Sequence, residues 1–83
     1  MRLDKYMKVT RLIKRREIAK QMIDSGYVSI NDKIAKPSSE IKVADYIKIK
    51  NPNGKEILVK VLIVSEISTI KTASSMYEII ESK

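Results

Sequence analysis

Cysteine, histidine, tryptophan and phenylalanine are all absent from this chain, and glycine and proline occur twice each. Without cysteine there is no disulfide framework and no thiolate ligand or nucleophile; without histidine the commonest general base and the imidazole ligand are missing as well. A catalytic role is therefore disfavoured, and neither a metal nor a cofactor is expected. No apolar run approaches the length of a membrane span, and the first residues lack the apolar stretch of a signal peptide. The expected compartment is the cytoplasm.

The chain is rich instead in positive charge. Its 83 residues hold 17 Lys and Arg against 10 Asp and Glu, a formal net charge of +7. Hydrophobic residues make up 43% and charged ones 33%, a balance that supports a folded core. This length fits one domain, 1–83, and leaves little room for an enclosed active site. The excess charge is unevenly placed: residues 1–50 contain 13 basic and 6 acidic residues, whereas residues 51–83 contain 4 of each. Residues 1–20 alone hold 8 basic and 2 acidic. Charge clustered in this way points to a nucleic acid as partner, ahead of plain solubility or an anionic membrane surface.

Periodicity gives a coarse outline. Leu3, Tyr6 and Met7 recur at helical spacing, with Asp4 in the first turn, where a carboxylate favours the positive end of the helix dipole. Residues 11–15 form a link to a second helix from about Arg16 to Ser25, stopped by Gly26; Ile18, Ala19, Met22 and Ile23 would share its inner face. Strand signals follow in Tyr27 to Ile30, a polar turn at Asn31-Asp32-Lys33, and Ile34-Ala35 beyond it. After the interruption at Pro37-Ser38-Ser39, the alternation Tyr46-Ile47-Lys48-Ile49-Lys50 predicts a strand. The turn Asn51-Pro52-Asn53-Gly54 would join it to the nearly continuous apolar run 56–64, the most buried strand. Ala73, Met76, Tyr77 and Ile80 lie at helical spacing and predict a short C-terminal helix after Thr72, or else a docked and partly frayed end.

Arg11, Lys14, Arg15, Arg16 and Lys20, with Arg2, Lys5 and Lys8 nearby, are the candidate binding residues. A guanidinium fork can donate two hydrogen bonds to one phosphate, which a lysine cannot. The plainer reading is a solvated helix face, but such faces usually mix signs, and here Asp4 and Glu17 are the only counterweights. Arg16 flanks the apolar face and is the better contact; Arg15 lies just outside the first turn or packs its stem over the core. Lys33 and Lys36 would extend the surface, with Ser38 and Ser39 as neutral donors, or simply belong to a polar loop. Tyr6 shares the apolar stripe of its helix and is expected in the core, and four tyrosines with no other aromatic do not make a platform for reading single strands. Recognition of folded RNA by shape and backbone fits better.

The run Met1-Arg2-Leu3-Asp4-Lys5-Tyr6-Met7-Lys8, followed by Arg11, Lys14-Arg15-Arg16, Ala19, Gly26-Tyr27-Val28, Asn31 and Lys36-Pro37-Ser38, resembles the RNA-binding domain of small-subunit ribosomal protein S-four, the αL motif. The resemblance covers about residues 1–50. It implies an α+β fold in which two or three short N-terminal helices pack on a small, mostly antiparallel twisted sheet, with the paired helices set on structured RNA. The opening residues and the ending Ala73-Ser74-Ser75-Met76-Tyr77 are most similar to the RqcP family of bacterial ribosome-associated quality control, and next to the heat-shock RNA-binding proteins of the ribosome. Tyr6 stands where phenylalanine or tryptophan is common in that family.

By that likeness the partners would be large-subunit rRNA and peptidyl-tRNA, with a factor that adds C-terminal tails to stalled chains close by. Arg2 and Arg16 would be the decisive contacts, and the protein would act as a monomer without chemistry of its own. A basic regulatory module that docks on an acidic protein is the alternative from another class.

Overall fold

A computed structural model describes residues 1–13, 15–51, 54–65 and 70–82. Among them the chain runs through helices α1 (Leu3–Val9) and α2 (Arg16–Asp24), strands β1 (Val28–Ile30), β2 (Lys33–Ile34), β3 (Tyr46–Lys50) and β4 (Glu56–Val61), a one-turn helix α3 (Ile70–Ala73), and strand β5 (Tyr77–Ser82). The strands form one sheet in the order β2-β1-β3-β4-β5, every neighbouring pair antiparallel. This is the α+β architecture expected from the sequence, with two helices at the N-terminal end.

At seven residues α1 is too short to persist by propensity, and tertiary contacts hold it. Leu3, Tyr6 and Met7 are buried with Ala19 and Ile23 of α2, and this apolar layer meets Val28, Ile47, Ile49, Val59 and Val61 from the sheet. Each such side chain contributes about 1.5–3 kcal/mol by leaving water. Met76 and Ile41 join the same cluster. Ile18 stays 45% exposed although it falls within the apolar arc, because Ala19 and Ile23 already fill the contact with the sheet.

No side chain caps α1. Its first N–H groups donate instead to backbone carbonyls of the Pro37–Ser39 loop, Leu3 to Ser39 at 2.8 Å and Asp4 to Pro37 at 3.2 Å. The loop therefore satisfies donors that a helix start would otherwise leave open. Helix α2 ends as expected at Gly26, whose φ of 83° places it in the left-handed region. Gly26 N–H donates to Ile23 and Tyr27 N–H to Met22, the paired bonds of a Schellman stop. Arg11 fills the equivalent position after α1 with φ 61°, a conformation that glycine would adopt at lower cost.

The β1–β2 turn places Asn31 and Asp32 at φ 50° and 69°, as a two-residue hairpin of the favoured hand requires. Asn31 also ties this hairpin to β3: its amide nitrogen donates to Asp45 Oδ1 at 3.1 Å, and its oxygen accepts from Tyr46 N–H at 2.9 Å. Strands β3 and β4 pair as the expected hairpin, with Ile47 opposite Val59 and Ile49 opposite Ile57. Pro52 and Asn53 of the connecting turn lie outside the described residues. Strand β4 stops at Val61 rather than at residue 64, since Leu62 and Ile63 N–H both turn to Met76 O, at 2.9 and 3.0 Å.

The C-terminal helix expected around Ala73, Met76, Tyr77 and Ile80 is shorter and earlier than its spacing implied. It ends at Ala73, and Tyr77 to Ser82 form a strand paired with β4 through Val61 opposite Tyr77 and Val59 opposite Ile79. The open edge of β4 supplies a ladder of backbone partners, which outweighs the weak drive of a single exposed helical turn.

Candidate nucleic-acid interface

Arg2 precedes α1 and Arg16 opens α2, fourteen positions apart in the chain, yet both reach the same carboxylate. Arg2 Nη2 donates to Asp4 Oδ2 at 3.2 Å, and Arg16 Nε and Nη2 donate to that same oxygen at 3.4 Å. The second oxygen, Oδ1, accepts Lys5 N–H at 2.8 Å. The Asp4 side chain is only 3% exposed, whereas those of Arg2 and Arg16 are 50% and 46% exposed. The guanidinium groups thus rest one side on a buried anion and present their other N–H groups outward. Arg2, Asp4, Arg16, Glu17 and Lys20 line a surface hollow of about 360 Å³.

The other predicted residues take graded positions around this hollow. Lys20 stands one turn beyond Arg16 on the same stripe of α2, and Lys8 one turn beyond Asp4 on α1. Lys5 follows Asp4 on the flank of α1, half-buried. Arg15 holds the extended N-cap position of α2 and is exposed, which leaves it outside the first turn rather than over the core. Arg11 is exposed after the far end of α1, about 10 Å along the axis from Asp4 at 1.5 Å per residue. Lys14 lies outside the described residues.

Lys36 is exposed in the loop that caps α1, and its N–H donates to Ser39 Oγ at 2.9 Å, so it adjoins the arginine pair through the Pro37 contact with Asp4. The same segment bridges Arg2 with Glu40, whose carboxylate meets the Met1 ammonium at 3.0 Å. Lys33 stands farther off, on edge strand β2 opposite Ile30; it leaves the sheet on the helix side but is tied to the cluster by none of the described contacts. The structure thus joins Arg2, Arg16 and Lys20, places Lys5, Lys8 and Lys36 beside them, and leaves Arg11, Arg15 and Lys33 outside the lining of the hollow.

Sequence reasoning missed the part played by Asp4, which it took for a partner of the helix dipole. The available signal was one of only two acids among eight basic residues in positions 1–20, on the stripe next to the apolar one. Tyr6 is in the core as expected: it is fully buried and its hydroxyl donates to Met76 O at 2.8 Å. Burial pushes the Tyr6 phenol above its ordinary range, and Tyr77 adds to the effect, so the group remains a donor.

On the opposite face of the sheet the cations are matched. Lys50 stands across from Glu56 and Lys60 across from Glu78, while Lys48 shares a hollow with Glu56 and Glu81. Lys60 Nζ also lies 6.0 Å from the centre of the Tyr46 ring. Among the described residues no cluster of three or more acidic, histidine or cysteine side chains is placed to hold a metal, and no helix is long and apolar enough to cross a membrane.

A family model described as S4 domain matches residues 1–47. The chain is 48% identical over 80 residues to the RQC P-site tRNA stabilizing factor of Streptococcus pneumoniae, covering 96% of this chain and 90% of that protein. It is 41% identical over 81 residues to the factor of the same name from Bacillus subtilis, covering 98% and 93%. Among solved structures, Heat Shock Protein 15 of Vibrio cholerae superposes with a TM-score of 0.86 at 26% identity, over 95% of this chain and 80% of the other.

Proposed function

We propose a function from the premise that this chain belongs to the S4 domain family and, within it, to the family of RQC P-site tRNA stabilizing factors. It is a non-catalytic RNA-binding factor of the bacterial cytoplasm that grips the large ribosomal subunit. It contacts rRNA and tRNA together and stabilises peptidyl-tRNA during the rescue of stalled ribosomes, while a separate factor adds the C-terminal tail. It works as a single domain and as a monomer, in contrast to the Vibrio cholerae relative, whose structure is described as trimeric.

The observation that carries this reading is the meeting of Arg2 and Arg16, from two separate segments, over one buried carboxylate in the most basic part of the chain. Two forks held in a fixed relation suit phosphates that are themselves held in a fixed relation, as in folded RNA, whereas a disordered strand offers no such spacing. Lys5, Lys8, Arg11, Lys14, Arg15, Lys20, Lys33 and Lys36 supply the surrounding field.

The test is co-sedimentation of the tagged protein with purified particles in moderate salt. Retention on large subunits that carry peptidyl-tRNA, resistant to washing and lost after ribonuclease treatment, supports the reading; binding that survives ribonuclease indicates an acidic protein partner instead. The likeness to Heat Shock Protein 15 favours a second reading, recycling of ribosomal particles under stress. Equal retention on large subunits with and without peptidyl-tRNA would select it.

A further inference from the structure

Strand β5 closes one end of the sheet, and among the described residues no strand lies beyond it. Its far side carries the row of backbone groups that any sheet edge offers to another chain. Such edges are commonly blunted by brevity, lysine or proline. At the opposite end β2 is two residues long and holds Lys33. β5 runs for six residues, Tyr77 to Ser82, with neither lysine nor proline among them. We propose that the edge of β5 is a docking site for an extended protein segment that alternates basic and apolar side chains and adds to the sheet as a further antiparallel or parallel strand.

The register gives each face of β5 its own chemistry. Tyr77 and Ile79 stand beside Val61 and Val59, on the buried side of the sheet, whereas Glu78 stands beside Lys60 on the other. Strict alternation would carry Glu81 to the helix side. The shift between Leu58 and Val59 pairs it with Leu58 instead, so both carboxylates share the outer face. Ile79 and Ile80 are 55% and 46% exposed, and the exposed Leu62 and Ile63 adjoin the start of the strand through their bonds to Met76 O. The edge thus combines an apolar side with an acidic one.

Charge selects the occupant. Among the described strands β5 alone holds acidic residues without a basic one, in a chain whose net charge is +7. Nucleic acid and anionic membrane have the sign of Glu78 and Glu81, and a second copy would set those acids edge to edge with their counterparts. A strand with lysine or arginine on its outer face continues the Lys60–Glu78 row with another opposite charge, while its apolar residues cover Ile79. The assignment uses neither Arg2 nor Arg16, so it stands or falls independently of what the helical edge binds.

The experiment titrates the full nitrogen-15-labelled chain with a soluble peptide of alternating lysine and valine, and with the same peptide N-methylated at every residue. The first is expected to bind and shift the amide signals of Tyr77 to Ser82. The second keeps its charge but has no N–H to donate to a ladder, and is expected not to bind. Glu78→Gln combined with Glu81→Gln should weaken the first peptide about fivefold, the scale of two exposed cross-strand charge pairs, and leave the thermal melt in place. Equal binding of both peptides would reduce the contact to charge attraction and overturn the proposal, as would no binding of either or an unchanged affinity in the variant. Shifts of the same amides on concentrating the protein alone would give the edge to a second copy, and shifts on adding polyadenylate would give it to nucleic acid; each of these also overturns it.

Discussion

Two surfaces of this molecule carry lysines and arginines, and they differ in what stands next to each cation. On the outer face of the sheet Lys50 and Lys60 lie directly across from Glu56 and Glu78, and Lys48 shares its hollow with Glu56 and Glu81. On the helical edge Arg2 and Arg16 share a single buried anion between them, and Lys20 adds to the excess. Cross-strand pairs contribute a few tenths of a kcal/mol each to sheet stability and leave little field beyond a Debye length. Cations that outnumber their anions on adjoining helices, here three against Asp4 and Glu17, sum instead into a potential that a polyanion feels. Placement, more than the total of +7, decides which side of the molecule attracts a polyanion.

The contrast is most sharply broken by changing Arg2 and Arg16 to Ala together. Binding to large subunits in moderate salt is expected to weaken by about 100-fold, two charge-assisted contacts, while the melting temperature moves little; co-sedimentation with circular dichroism checks both. Loss of folding in step with binding would mean that the pair serves the structure rather than the surface.

Arg11→Gly probes the same edge at its other end. The change relieves a left-handed backbone at φ 61° and should raise stability by about 0.5–1 kcal/mol. It also removes an exposed cation and should weaken binding about threefold. Denaturant titration and filter binding on the same preparation would show stability and affinity moving in opposite directions; a parallel loss of both would remove Arg11 from the surface.

Tyr6→Phe cuts the tie between the helical edge and the C-terminal strand. Met76 O retains Leu62 and Ile63 N–H as donors, so the cost is about 1 kcal/mol. A phenol whose proton is held more tightly in the folded state gives its full stability below the ordinary value of 10.0 and loses it as pH rises beyond that. Thermal melts should therefore show an alkaline decline in the parent protein that is shallower in the variant. The smallest effect belongs to the outer face: replacing Lys48, Lys50 and Lys60 with Ser should change subunit affinity by less than about threefold, because those charges are already matched. A larger loss would make the sheet a second RNA surface.

Much of this fold was legible in local signals. Gly26 ends α2 because the left-handed turn needs it, Asn31 and Asp32 make the hairpin, and the alternation of residues 46–50 sets which side of β3 is buried. The C-terminal strand was not legible, since Met76, Tyr77 and Ile80 satisfy a helical spacing and only the vacant edge of β4 decides otherwise. The start of α1 was equally hidden, because its cap comes from the backbone of Pro37 and Ser39 and leaves no capping side chain to read. Of the binding surface, the sequence showed which residues were cationic; that two of them meet at Asp4 required the packing of α1 against α2.

The bond from Tyr6 to Met76 spans 70 positions of chain. A ribosome making this protein finishes the first helix long before it reaches the acceptor that anchors it. Until then the phenol has only water to donate to, and the apolar stripe of Leu3, Tyr6 and Met7 has no strand β4 to cover it. Translation must run nearly to its end before the arginine-bearing edge is fastened to the rest of the sheet, so a truncated product of this gene would carry the basic residues without the rigid grip.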